Sequence, residues 1–170
     1  MERKSWMKRN AMYCVVGIFI SVLMFAGAAY AKDGSCIHCG MKEANFGHSW
    51  MVIEHDDGSL EGVCSVHCAA VDMALHTHMP VTKITVGDYN TKKQIDADTA
   101  FWVIGGDRMG VMTANAKWAF ETKDTADAFI KSHGGRPATF PEVMKSAFQD
   151  MYEDTLMIQK KRAMMKMKKQ

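Results

Sequence analysis

Four thiols arranged as two pairs constrain this chain more than any other feature. Cys36-Ile37-His38-Cys39-Gly40-Met41 sets two cysteines three apart on a glycine-containing turn, with a methionine two residues further on. Cys64 and Cys68 follow four apart, where the pattern of the sequence starts a helix. Two thiols on such a turn can grip one soft ion, and a nearby thioether adds a donor that hard ions ignore. One turn of helix separates Cys64 from Cys68, so both sulfurs can reach an ion held by the first pair. We therefore expect a shared soft-metal site spanning loop and helix, built from Cys36, Cys39, Met41, Cys64 and Cys68. His38 lies between two of the thiols and faces the same ion or solvent. His48, His55 and His67 flank the motifs in sequence, while His76 and His78 suit the C-terminus of the helix.

The start of the chain says where such a site would work. Arg3, Lys4, Lys8 and Arg9 precede an uncharged run from Asn10 to Ala31 that closes on Ala29-Tyr30-Ala31. A basic start, an apolar centre and a small-x-small end mark a secretory signal, cleaved after Ala31. The run is also long enough to cross a bilayer, so an anchor formed by residues 10–31 is the alternative. Either form puts the remainder outside the cytoplasm, in the periplasm or beyond. Asp33-Gly34-Ser35 before Cys36 is too polar for a lipoprotein attachment motif. Loss of Cys14 with the signal leaves four of the five cysteines, an even number that in an exported chain ordinarily argues disulfides. The Cys64 to Cys68 spacing opposes this, because it suits two ligands on one helix face better than one unstrained bridge.

Without residues 1–31 the chain loses four of its 21 basic residues and one of its 19 acids, leaving 17 against 18. That near-neutrality points to no nucleic-acid partner. It conceals an asymmetry, since Lys160, Lys161, Arg162, Lys166, Lys168 and Lys169 crowd the end of the chain with no acid after Gln159. The N-terminal segment and this basic tail are the two places where a membrane surface could be met.

The pattern of apolar residues predicts an α+β fold made of two similar β-β-α-β units. In the first, spanning 32–87, Ser49 to Glu54 reads as a strand, His55-Asp56-Asp57-Gly58 as a turn and Ser59 to Val63 as the returning strand. Ser65 caps a helix whose apolar stripe is Val66, Ala70, Met73 and Ala74, and Thr82 to Val86 forms a third strand. In the second unit, spanning 88–142, a polar stretch to Asp98 gives way to strands at Ala100 to Ile104 and Ala116 to Phe120. A helix capped by Thr122 or Asp124 runs through Ala126, Phe129 and Ile130, ends at His133-Gly134-Gly135, and is followed by a strand over Pro137 to Phe140. From Pro141 the helical period of Val143, Met144, Ala147, Phe148, Met151, Leu156 and Met157 leads into a basic, methionine-rich tail, so that 143–170 forms a C-terminal helix. Only the first unit carries thiols.

Taken together, Cys36-x-x-Cys39-Gly40-Met41, the strand with Trp50, the Asp57-Gly58 turn, Cys64-Ser65-x-x-Cys68, and Ala126-x-x-Phe129 before His133-Gly134-Gly135 resemble the NosL family over about residues 35 to 142. That family comprises exported copper-binding accessory proteins named for a role in assembling nitrous oxide reductase. The resemblance implies two β-β-α-β units, Cu(I) as cargo, and Cys39 and Met41 as the counterparts of the Cys-Gly-Met ligand motif. It implies a metallochaperone, not an enzyme, whose partner is a copper-dependent client or that client's maturation machinery. The first unit also resembles the treble-clef modules called TRASH and YHS, in which a Cys-x-x-Cys turn and a helix-borne cysteine clasp one ion.

Thiolate and thioether donors select Cu(I), whereas four thiolates alone favour Zn(II), the alternative that would make this a structural or interaction module. A thiol-disulfide oxidoreductase is less well matched, because its Cys-x-x-Cys opens a helix after a β-α-β unit and here a Gly-Met turn and an extended segment follow. Haem attachment needs histidine where Gly40 stands.

Overall fold

The computed structural model describes residues 34–168, so the expected signal or anchor, with Cys14, lies outside the described residues. Each half of the chain folds around its own first strand. In the first, β1 (Met51–His55) is paired antiparallel on one side with β2 (Leu60–Val63) and on the other with β3 (Val81–Gly87). In the second, β5 (Phe101–Ile104) stands between β6 (Lys117–Phe120) and β7 (Arg136–Ala138), again antiparallel. The strand orders β2-β1-β3 and β6-β5-β7 are the same topology twice, as the repeated pattern predicted. Each unit carries its helix between second and third strands: α2 (Val66–Leu75) and α3 (Lys123–His133).

Several elements differ from the sequence reading for local reasons. β4 (Gln94–Asp96), in the stretch read as polar loop, adds a short edge to β3 and completes a four-stranded sheet. A short helix α1 (Glu43–Phe46) follows Met41 in place of the expected extended segment. The last strand ends at Ala138 because Thr139 already caps α4 (Phe140–Met167). The Glu142 carboxylate accepts both the Thr139 backbone N–H (2.7 Å) and its hydroxyl (2.9 Å), and Pro141 suits the first turn, where no backbone donor is needed. Helix α4 buries Phe140, Val143, Met144 and Ala147, with Phe140 stacked on Trp102 at 5.6 Å, yet Phe148 and Leu156 from the same apolar series are exposed.

Two contacts fix the chain where β3 ends. Asp88 is buried and its carboxylate accepts the N–H groups of Asn90 and Thr91, the Thr91 hydroxyl and, from the turn after β6, the N–H of Glu121. Gly87 lies against the backbone of Gly47, where an added Cβ would sit 1.8 Å from the Gly47 carbonyl oxygen. This close approach holds the segment after α1 onto β3, and with it the end of the thiol loop.

Candidate metal centre

The thiol loop is a knuckle closed by its own backbone. The Cys36 N–H donates to the Met41 carbonyl (2.8 Å) and the Gly40 N–H returns to the Cys36 carbonyl (2.8 Å). Gly40 takes φ +77°, a left-handed conformation costly for other residues, which turns the chain tightly enough to present Cys36 and Cys39 to one side. The Ile37 N–H donates to Gly62 in β2 (3.2 Å), seating the knuckle beside the strand that leads into Cys64.

Helix α2 supplies the other two thiols. Ser65 occupies the cap position in extended conformation, as expected, but its hydroxyl makes no cap hydrogen bond; it accepts from the Cys64 thiol at 3.8 Å. Cys68 is in the first turn, with its sulfur 3.6 Å from that of Cys64, and the Cys39 sulfur is 3.4 Å from Cys64 on the other side. The sulfurs of Cys36, Cys39, Cys64 and Cys68 all lie within 4.8 Å of one another. Sulfurs bound at ~2.3 Å to a tetrahedral ion stand roughly 3.8 Å apart, so the spacings of 3.4 and 3.6 Å need small shifts and the widest spacing in the cluster closes by at most about 1 Å. All four are free thiols; Cys36, Cys64 and Cys68 are buried and only Cys39 is partly exposed.

Crowding four thiols divides their acidities. Hydrogen bonds from Cys39, Cys64 and Cys68 stabilise the Cys36 thiolate and pull its pKa well down. Cys39 is raised by Cys36, but Cys64 and Cys68 outweigh that and leave it at about 7. Cys64 and Cys68 are pushed up, first by the neighbouring Cys36 and Cys39. Its place in the first turn of α2 would by itself lower the Cys68 pKa, but contacts with Cys36, Cys39 and Cys64, and then burial, outweigh the helix. Without metal the cluster keeps protons on its helix side and readily yields a thiolate on its loop side.

The histidines have partners of their own away from the four sulfurs. His38 turns out of the knuckle and its Nε2 meets Asp72 Oδ1 at 2.9 Å. His76 caps α2 with its backbone as predicted, but its ring faces Asp72 (3.2 Å) and Glu61 (3.7 Å). His55 is fully buried on the same side, while His67 faces Asp154 of α4 at 3.6 Å and is kept below its ordinary pKa by burial. Met41 lines a groove of roughly 350 Å³ next to the knuckle, shared with His48, Met109, Met112, Met157 and Met165. Met112 is held at φ +60°, an uncommon conformation for a residue with a side chain. Burial, and then the charge of Lys92, hold the His48 pKa below its ordinary value. The other four methionines come from two stretches, the loop of Met109 and Met112 and helix α4, and no spacing in the sequence connects them to Met41.

Fold and site together define an α+β protein of two duplicated units with a four-thiol centre suited to a soft ion in the first. The chain belongs to the NosL family, whose sequence profile matches residues 28–148. Its fold is like that of the copper chaperone NosL from Shewanella denitrificans, with a TM-score of 0.57 and 23% identity over 70% of this chain and 97% of that one. The solution structure of apo-NosL from Achromobacter cycloclastes aligns with 28% identity over 54% of this chain and 82% of that one, at a TM-score of 0.37. The HTH-type transcriptional repressor CutR of Bacillus subtilis (strain 168) is 27% identical over 118 residues, 69% of this chain and 60% of the repressor. The chain thus spans about 60% of that relative's length. Among the described residues every pair of successive helices is separated by a strand, which leaves no helix-turn-helix.

Proposed function

We propose that this protein is an exported Cu(I)-binding accessory protein, a carrier rather than a catalyst, that delivers copper to an extracytoplasmic metalloenzyme such as nitrous oxide reductase or to its maturation machinery. The observation that carries the reading is the convergence of Cys36, Cys39, Cys64 and Cys68 within 4.8 Å beside a groove of thioethers that begins at Met41. Thiolates select soft ions, and thioethers add affinity for Cu(I) with almost none for Zn(II). Cys39, the exposed member with a pKa of about 7, is the thiol from which a client can take over an ion one ligand at a time. Met41 and Met112 on the same groove supply intermediate ligands during such exchange. In an oxidising compartment the Cys39 and Cys64 sulfurs, already 3.4 Å apart, are placed to cross-link when metal is absent, which would make loading redox-gated.

A second reading has its own support. Three of the four thiols are buried, and four enclosed cysteines form the usual closed set for structural Zn(II). Gly40, Met41 and Lys42 stand between Cys39 and the start of α1, so neither thiol opens a helix as in a thioredoxin-like site, and Cu(I) and Zn(II) are the occupants to weigh. Anaerobic, reduced protein challenged with a Cu(I) chelator and with Zn(II) decides: retention of one Cu(I) against excess zinc supports the carrier, and retention of zinc with loss of copper supports the structural module.

A further inference from the structure

Beyond the thiol centre, we infer that His55, Glu61 and Asp72, with His76 at their rim, form a second metal site for a borderline divalent cation of the Zn(II) class. The residues come from three elements. Strand alternation puts His55, at the end of β1, on the buried face with Ile53, and Ile53 pairs with Glu61 of β2, whose side chain shares that face. Helix α2 lies over them with Asp72 pointing inward, fully buried. His55 Nε2 stands 3.6 Å from Glu61 Oε2 and 3.8 Å from Asp72 Oδ2. His76 Nδ1 stands 3.7 Å from Glu61 and 3.2 Å from Asp72 Oδ1.

These separations are too long for hydrogen bonds, apart from that between His76 and Asp72. They match donors bound at ~2.0–2.2 Å to a tetrahedral ion, which stand roughly 3.3–3.6 Å from one another. The orphaned atoms are the second observation. Neither ring nitrogen of His55 has a hydrogen-bond partner among the described residues, and nor do Glu61 Oε2 and Asp72 Oδ2, although all are buried. Unsatisfied buried polar atoms are costly, and three of these, His55 Nε2, Glu61 Oε2 and Asp72 Oδ2, face one another, which points to an occupant that completes them. No Lys or Arg does so: the basic groups within ion-pair distance of Asp72 among the described residues are His38, His55 and His76. A dication supplies the positive charge that two carboxylates lack, and imidazole with carboxylate suits Zn(II), not Cu(I).

The site is tied to the thiols by one helix face. Cys64, Cys68, Asp72 and His76 recur every fourth residue along and just beside α2, so Asp72 follows Cys68 by about one turn, about 6 Å along the axis. Asp72 also holds His38, the residue between Cys36 and Cys39. A cation here braces the knuckle from behind while leaving the thiols free for a different ion.

Cobalt(II) titration of the reduced protein, followed by absorption, tests the inference. Cobalt on thiolates gives intense sulfur-to-metal charge transfer; cobalt on imidazole and carboxylate gives weak d–d bands alone. Two equivalents are expected, one of each signature, and alkylating the thiols removes the first without the second. His55→Gln and Glu61→Gln each remove the weak-band equivalent, keep the charge transfer, and abolish the rise in melting temperature that zinc gives the alkylated protein. A titration that ends with the charge-transfer equivalent alone, or a weak-band equivalent that survives both substitutions, overturns the site. Failure of the copper reading registers separately, as Cu(I) lost to the chelator with these bands unchanged.

Discussion

Replacing Cys39 by serine should separate metal binding from folding, because Cys39 is the one thiol of the cluster that is partly exposed and sits on a turn outside every helix and strand. Apparent binding free energies of four-ligand thiol and imidazole sites are about 10–16 kcal/mol, so one ligand in four is worth about 2.5–4 kcal/mol. On that scale Cys39→Ser weakens Cu(I) binding by ~100- to 1000-fold. The metal-free protein should lose no more than about 1 kcal/mol, since a hydroxyl at this position remains half in water and can still meet the Cys64 thiol. Cys68→Ser provides the contrast. Cys68 is 2% exposed, and a hydroxyl there is a buried polar group without an assured partner, costing about 1–3 kcal/mol before any metal is considered. Anaerobic competition with a Cu(I) chelator gives the affinities and denaturant melts of the metal-free proteins give the stabilities. Unchanged Cu(I) affinity in Cys39→Ser, or a metal-free destabilisation above 2 kcal/mol, would refute the assignment of Cys39 as an exchangeable ligand on a loop.

Met41→Leu, close to volume-conserving, should leave the metal-free melt within about 1.5 kcal/mol while weakening Cu(I) and leaving Zn(II) affinity unchanged; equal loss of both metals in competition assays would count against a thioether ligand. Alkylation of the reduced, metal-free protein should start at Cys39 and rise with a midpoint near its pKa of about 7, with peptide mapping to identify the site; first modification at Cys68 would contradict the division of acidity described above. For Asp88, burial raises the pKa, but the N–H groups of Thr91, Glu121 and Asn90 and the Thr91 hydroxyl outweigh it and hold the carboxyl below its usual value. Its stabilising contribution is therefore complete above the unfolded pKa of about 3.9 and is lost as pH falls through the lower folded value. Asp88→Asn should cost about 1.5–3 kcal/mol at pH 7 and flatten that acid-side loss in pH-dependent melts; an unchanged acid profile would mean the carboxylate does not hold the end of β3 to the turn after β6.

The duplicated architecture was legible because each unit announces itself by local chemistry: an apolar strand, a glycine turn, a capped helix. The elements that escaped are short and locally weak. β4 is Gln94-Ile95-Asp96, polar on both sides of one apolar residue, and forms because β3 offers it an unpaired edge. The two thiol pairs could be read from the sequence because each is local, and their meeting follows from the hairpin that seats the knuckle beside Gly62. The second cluster could not, since His55, Glu61 and Asp72 each look ordinary alone: a turn histidine, a strand glutamate, a helix aspartate. The recurrence of Cys64, Cys68, Asp72 and His76 at every fourth position was its one trace. The methionine groove was hidden for a similar reason, as Met112 and Met157 approach Met41 only after α4 has docked across the body.

X-ray absorption at the copper edge of the reduced, copper-loaded protein, compared with Cys39→Ser, addresses the central claim most directly. A first shell made of sulfur alone, losing sulfur in the variant, is the predicted result. A shell of nitrogen and oxygen donors, or a spectrum that Cys39→Ser leaves unchanged, would contradict it and place the copper away from the thiol centre.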